Sequence, residues 1–205
     1  PLVVTLSNGA TITIPVGQTT ANSAPVPVRG DDAYAQGTQT LAPVTITGTT
    51  GGNYEAVNTT GTINNTVVDD TDATTVTLTA SAGTVVEGNT ITYTATVSNA
   101  VTGSPLVVTL DNGTTITIPV GQTTGTSAPV IVRADDVYAQ GNTTVVRSIT
   151  GTSGGNFEAL TTTSTVSTSV TEDADATTVT LSSATNGTAI TEGGSIVYTA
   201  TVNNA

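Results

Sequence analysis

The chain has 205 residues, of which 9% are charged, a formal net charge of −12, and neither cysteine nor histidine. These figures exclude a disulfide scaffold, thiolate or imidazole catalysis, and a zinc site built on either side chain. With Arg29, Arg133 and Arg147 as the only cations, nucleic acid would be repelled.

Read from the N-terminus, the sequence repeats. PLVVTLSNGATITIPVGQTT at residue 1 returns as PLVVTLDNGTTITIPVGQTT at residue 105, DDAYAQG at 31 as DDVYAQG at 135, and GGNYEA at 51 as GGNFEA at 154. DATTVTL at 72 returns at 175, and EGNTITYTATVSNA at 87 returns as EGGSIVYTATVNNA at 192. A period near 104 residues is too long for a solenoid coil and fits whole domains in tandem. Strand-like runs begin after each acidic stretch, which puts boundaries near Thr71 and Ala174. Residues 1–70 then form the C-terminal part of a repeat lacking its first two strands. Residues 71–173 form a complete repeat, and 174–205 supply the first two strands of a further one. The loop VTGS, present at 101–104, is where the partial repeats break off. Such a pattern is expected of a window on a longer array, or of a polymer in which the last segment of one chain completes the first segment of the next.

Within the complete repeat, β-branched alternation predicts strands at 74–80, 90–99, 106–110, 114–119, 127–133, 143–150 and 161–170. No segment carries a helical period, and Thr and Val disfavour helix. One hairpin can be put in register. A two-residue turn in LVVTLDNGTTITI would pair Val108 with Thr117 and split the apolar residues over two faces. A three-residue loop, Asp111–Asn112–Gly113, pairs Leu110 with Thr114, Val108 with Ile116 and Leu106 with Ile118. That keeps one face apolar, with Gly113 left-handed; Ser7–Asn8–Gly9 should do the same. The expected fold class is all-β: tandem immunoglobulin-like β-sandwich domains joined by short acidic linkers. Tyr138, and its copy Tyr34, are expected to lock the core as tyrosine corners do. Tyr54, Tyr93, Phe157 and Tyr198 are expected to be core or loop anchors. No apolar run approaches the roughly 20 residues of a membrane helix, so no direct membrane insertion is expected.

Fourteen of the fifteen acidic residues sit at repeat-equivalent positions. They fall in the loop after the first strand (Glu87, Glu192), in the DD loop (Asp31, Asp32; Asp135, Asp136), in the GGN loop (Glu55, Glu158), and in the linker (Asp69, Asp70, Asp72; Glu172, Asp173, Asp175). Loops of a sandwich alternate between its two poles. Glu87, Asp135, Asp136, Glu172, Asp173 and Asp175 should therefore converge on one acidic centre. Asp31, Asp32, Asp69, Asp70 and Asp72 should converge on another, with Glu158 reaching it from the next repeat. At about 4 Å and an effective dielectric near 20, each like-charged pair costs about 4 kcal/mol. Lysine is absent and the arginines read as strand-borne, so a cation with oxygen ligands is the expected counter-charge. Ca²⁺ accepts six to eight oxygens in irregular geometry, whereas Mg²⁺ prefers few protein ligands. Turn capping explains one Asp per loop but not a DD pair and an xDxD run at one pole. Glycoside hydrolysis would also use two carboxylates, but hinges between small domains offer no substrate cleft, so no enzyme is expected.

The order xDATTVTL, EGN or EGG, ITYTATV, LVVTLxNGxxITIPVGQT, DDxY and ITGxxGGNFE resembles the repeats of large bacterial adhesins secreted by the type I route. These RTX-type proteins include biofilm and ice-binding adhesins. The resemblance covers both copies. It implies extender domains strung between a cell-surface anchor and a distal binding module, outside the bacterial cell, with Ca²⁺ stiffening the linkers. Neighbouring repeats would be the first partners. The rival expectations are a self-assembling filament of identical chains, and a module that binds sugars or ice through threonine-rich faces. The threonines lie on many strands without a flat array, which disfavours the last.

Overall fold

The computed structural model describes residues 1–204 and divides into two compact units, residues 1–74 with 156–160, and residues 75–155 with 161 onward. Among the described residues all regular structure is β. Among the described residues no helix is long and apolar enough to cross a membrane.

The first unit contains β1 (Leu2–Leu6), β2 (Thr11–Ile14), β3 (Gln39–Thr40), β4 (Val44–Gly51), β5 (Thr62–Ile63) and β6 (Thr66–Val67). One sheet runs in the order β2-β1-β4-β5, and β3 pairs with β6. Its apolar face is poorly covered. Val4 is buried, whereas Leu2, Leu6, Ile12 and Ile14 are only half-buried.

The second unit begins within β7 (Ala73–Ala80), whose first two residues belong to the first unit. Its strands are β8 (Thr84–Val86), β9 (Thr90–Ile91), β10 (Tyr93–Val97), β11 (Leu106–Leu110), β12 (Thr115–Ile118), β13 (Thr124–Thr126), β14 (Val130–Ile131), β15 (Thr143–Ser153), β16 (Ala159–Thr161), of which Ala159 and Leu160 belong to the first unit, and β17 (Thr165–Thr171). The sheets are ordered β13-β10-β7-β16 and β12-β11-β15-β17-β8. Alternation in β7, β10, β11 and β12 sends every second side chain inward. Val76, Leu78, Tyr93, Ala95 and Val97 from the first sheet meet Leu106, Val108, Leu110, Ile116, Ile118 and Val170 from the second in a buried aliphatic core. Each large side chain so buried contributes about 1.5–3 kcal/mol. Later in the second unit, β18 (Val179–Ser182) and β19 (Thr199–Val202) form a two-stranded sheet.

The three-residue hairpin loop is present in the predicted register. Leu106 lies opposite Ile118 and Val108 opposite Ile116. The Leu110 amide donates to the Thr114 carbonyl at 2.9 Å, and Gly113 has a φ of +81°. Ser7–Asn8–Gly9 repeats it, with Leu2 opposite Ile14 and Gly9 at φ +85°.

Other expectations need correction. The run 127–133 is not one strand. Residues 124–126 pair with β10 and 130–131 with β9, because Pro129 lacks an amide donor and Ser127 leaves the ladder to cap it. The Ser127 hydroxyl accepts the Tyr93 amide at 3.0 Å and donates to the Ala128 carbonyl. Residues 161–170 are likewise split. β16 joins the sheet of β7, while β17 joins that of β15. β8 lies inside a predicted loop and pairs parallel with β17; three residues are too few for alternation to reveal. Tyr138 is not a core lock but 54% exposed, and Tyr54 and Tyr198 are also exposed. Tyr93 alone among the tyrosines is buried in the core.

Candidate metal centres

In the first unit, the segment between β2 and β4 carries the sequence RGDDAYAQG, and the chain after β6 carries DDTD. Two of their carboxylates shape the loop. Asp32 accepts the Tyr34 amide at 2.9 Å and also the Gln36 side-chain amide. Asp69 accepts the amides of Gln36 at 2.7 Å and Gly37 at 3.2 Å, and the Arg29 guanidinium at 2.5 Å. These bonds, the Gln36 amide foremost, hold the Asp69 carboxyl below its ordinary range. With Asp32 and Asp69 so engaged, Asp31, Asp70 and Asp72 are left together, one oxygen of each within 4.8 Å of the others. The negative charge of Asp70 first, then of Asp72, raises the Asp31 carboxyl, with a smaller push from Glu158.

Glu158 reaches this unit on the segment 156–160. Its Oε2 accepts the Asp72 amide at 2.5 Å. The same segment runs antiparallel to residues 33–35. The Ala35 amide donates to the Asn156 carbonyl at 3.1 Å, and the Glu158 amide to the Ala33 carbonyl at 3.2 Å. Tyr34 and Phe157 stack with centroids 5.8 Å apart and planes inclined by 29°.

The second unit repeats the plan. Asp136 accepts the Tyr138 amide at 2.8 Å and the Gln140 side-chain amide. Glu172 stands where the first unit has Asp69. It accepts the Gln140 amide at 3.1 Å and the Arg133 guanidinium at 2.5 Å. Glu87, Asp135 and Asp173 then bring one oxygen each within 4.8 Å of one another. Glu87 is buried, and its Oε2 accepts Arg133 Nε at 2.9 Å. Gly88, at φ +75°, lets this loop close on Asp135, since a Cβ there would sit 2.9 Å from the Asp135 Cβ. Asp175 lies near enough that Asp173 foremost, then burial, Asp135 and Asp136, raise its carboxyl.

Arg29 and Arg133 correct the reading of the arginines as strand-borne. Each lies outside the strands, two or three positions ahead of its DD pair, and forms ion pairs with linker carboxylates. One guanidinium beside six carboxylates still leaves a strong excess of negative charge. The donor set is all oxygen, without nitrogen or sulfur. With Ca–O distances of about 2.3–2.6 Å, two ligands of one ion lie at most about 5 Å apart. Both triads meet that limit.

The LapA domain model matches residues 1–71 and 72–174. The chain belongs to the LapA domain family. No curated protein and no solved structure gives a significant match. LapA is a large adhesin of the biofilm and cell-surface type, and these residues are an adhesin-related segment. Asp69 and Asp70 fall at the end of the first matched segment and Glu172 and Asp173 at the end of the second, whereas Asp72 opens the second and Asp175 follows it.

Proposed function

We propose that this chain is a stalk segment of an extracellular bacterial adhesin of the type I-secreted kind. Its immunoglobulin-like domains would space a surface anchor from a distal binding module, and Ca²⁺ would stiffen its linkers. The observation that carries the reading is the recurrence of one arrangement in both units: an Asp of the DD loop against two acidic residues of other segments. A divalent ion held by Asp31, Asp70 and Asp72 would fasten residues 70–72 to the loop that precedes them. One held by Glu87, Asp135 and Asp173 would do the same for residues 172–175. Extracellular calcium modules bind with dissociation constants on the order of 10⁻⁴ to 10⁻³ M, which suits millimolar calcium outside the cell.

The role is mechanical. Its test is small-angle scattering with and without a chelator. Removing calcium should shorten the maximum dimension and broaden the distance distribution, and restoring it should reverse both. Scattering curves that superpose with and without calcium would defeat the reading.

A further inference from the structure

The chain holds three Asn-Gly pairs, Asn8–Gly9, Asn112–Gly113 and Asn186–Gly187. In such a pair the glycine amide nitrogen can attack the asparagine side-chain carbonyl carbon, because no Cβ hinders the approach. The three pairs are alike in every simple respect. Each asparagine and each glycine is exposed. The glycines have φ of +85°, +81° and +77°, and a Cβ on any of them would meet nothing within 4 Å. Neither exposure nor backbone torsion therefore ranks them.

Hydrogen bonding does. In the two hairpin loops the Gly9 amide donates to the Leu6 carbonyl at 3.0 Å and the Gly113 amide to the Leu110 carbonyl at 2.9 Å. Asn8 Oδ1 accepts the Ala10 amide at 3.2 Å, and Asn112 Oδ1 accepts the Thr114 amide at 3.1 Å. The first kind of bond holds the proton that the attacking nitrogen must lose. The second holds the side chain whose Cγ must swing onto that nitrogen. In the loop between β18 and β19 the neighbours are bonded instead. The Asn186 amide donates to the Ser183 carbonyl at 3.1 Å, and the Thr188 amide to the Thr185 carbonyl at 3.0 Å. The Thr188 hydroxyl donates to the same Thr185 carbonyl at 2.8 Å. Neither the Gly187 amide nor the Asn186 side chain has a hydrogen-bond partner among the described residues. The bonds that shape this turn all lie within residues 183–188, so the arrangement is local.

We infer that Asn186 is a site of spontaneous deamidation, whereas the hairpin loops keep Asn8 and Asn112 intact. The Gly187 nitrogen forms a bond to Asn186 Cγ, the Cγ–Nδ2 bond breaks, and the amide proton leaves with Nδ2 as ammonia. Water then opens the resulting cyclic imide at either carbonyl. One opening gives aspartate. The other gives isoaspartate, in which the main chain runs through Cγ. The step consumes only water and changes no oxidation state. Each event adds a negative charge to a chain already at −12, and the isoaspartyl product lengthens the backbone of the loop that leads to Glu192.

The test is incubation of the whole chain in mildly alkaline buffer, which favours loss of the amide proton, followed by unfolding, trypsin and mass spectrometry. Cleavage after Arg29, Arg133 and Arg147 puts Asn8, Asn112 and Asn186 on different fragments. Deamidation raises a fragment's mass by the difference between an amide and an acid, and sequencing the fragment assigns the residue. Incubation in concentrated guanidinium, where every loop is open, should convert all three asparagines at similar rates. In the folded chain Asn186 should keep close to that rate, while Asn8 and Asn112 should convert at least about tenfold more slowly, because two hydrogen bonds must open first. Asn112 converting as fast as Asn186 in the folded chain, or folding slowing all three alike, would overturn the inference.

Discussion

The two acidic centres are alike in plan and different in membership. Both draw one Asp from the DD loop, hold the second in a turn, and tie a linker carboxylate to an arginine. The first adds Asp72 to its triad and Glu158 beside it. The second replaces them with the buried Glu87. The difference follows from which loops surround each centre. Among the described residues, Glu87 comes to the second centre on the loop before β9, and Glu158 comes to the first on the segment 156–160. Each centre is thus a different subset of one constellation: a pole-loop Glu, a DD pair, a linker run, and a GGN-loop Glu.

The largest expected effect separates the centres from one another. Saturating calcium at about 10 to 100 times its dissociation constant should stabilise each centre's unit by about 1.4–2.7 kcal/mol. For domains of this size that corresponds to a rise in melting temperature on the order of 10 °C. Calorimetric scans should show Asp31→Asn with Asp70→Asn removing one part of this rise. Asp135→Asn with Asp173→Asn should remove the other. Equal losses from either pair in one transition would erase the distinction between centres.

The next effect sharpens the role of burial. Glu87→Ala leaves Arg133 with Glu172 but strips it of its buried partner, and should cost about 2 kcal/mol by chemical denaturation. Asp69→Ala, which frees the more exposed Arg29, should cost under about 1 kcal/mol. A reversed order would show that burial of Glu87 is not what distinguishes the second centre.

The smallest effect is the pH dependence without calcium. Asp31 and Asp175 are raised in the folded chain, so folding favours their protonated forms. Their repulsion weakens the fold at neutral pH and is relieved as pH falls through their raised values. Asp69 is lowered, and its contribution is present above the ordinary Asp range and lost as pH falls through its own folded value. Mild acidification of the chelated chain should therefore raise stability slightly before strong acid lowers it. Asp31→Asn should flatten that rise and stabilise the apo form at neutral pH. A monotonic loss of stability from pH 7 downward would contradict the assignment.

Much of this was readable in the residues. The LVVTLxNGxxITI register followed from keeping Leu106, Val108, Ile116 and Ile118 on one face. The grouping of acidic loops at one pole followed from strand alternation. What could not be read had local physical causes. Ser127 and the amide-lacking Pro129 break a run that looks continuous by alternation. The change of sheet at 162–164 depends on Ser164, whose hydroxyl accepts the Leu78 amide at 2.8 Å, a contact 86 residues away in sequence. Asp32 and Asp136 sit beside Asp31 and Asp135 in sequence, yet the bonds from Tyr34 and Tyr138 turn them to another task. Arg147 is strand-borne in β15 as expected, whereas Arg29 and Arg133 lie outside the strands, because the run 127–133 ends as a strand at Ile131. Tyr34 and Tyr138 have nearly the same sequence surroundings, DDAYAQG and DDVYAQG, and Phe157 stacks on Tyr34.

The most direct test of the calcium account is anomalous diffraction from crystals grown in calcium. The account predicts density between Asp31, Asp70 and Asp72, and between Glu87, Asp135 and Asp173, each lost after soaking in chelator. Well-ordered carboxylates with no anomalous density at either centre would contradict it.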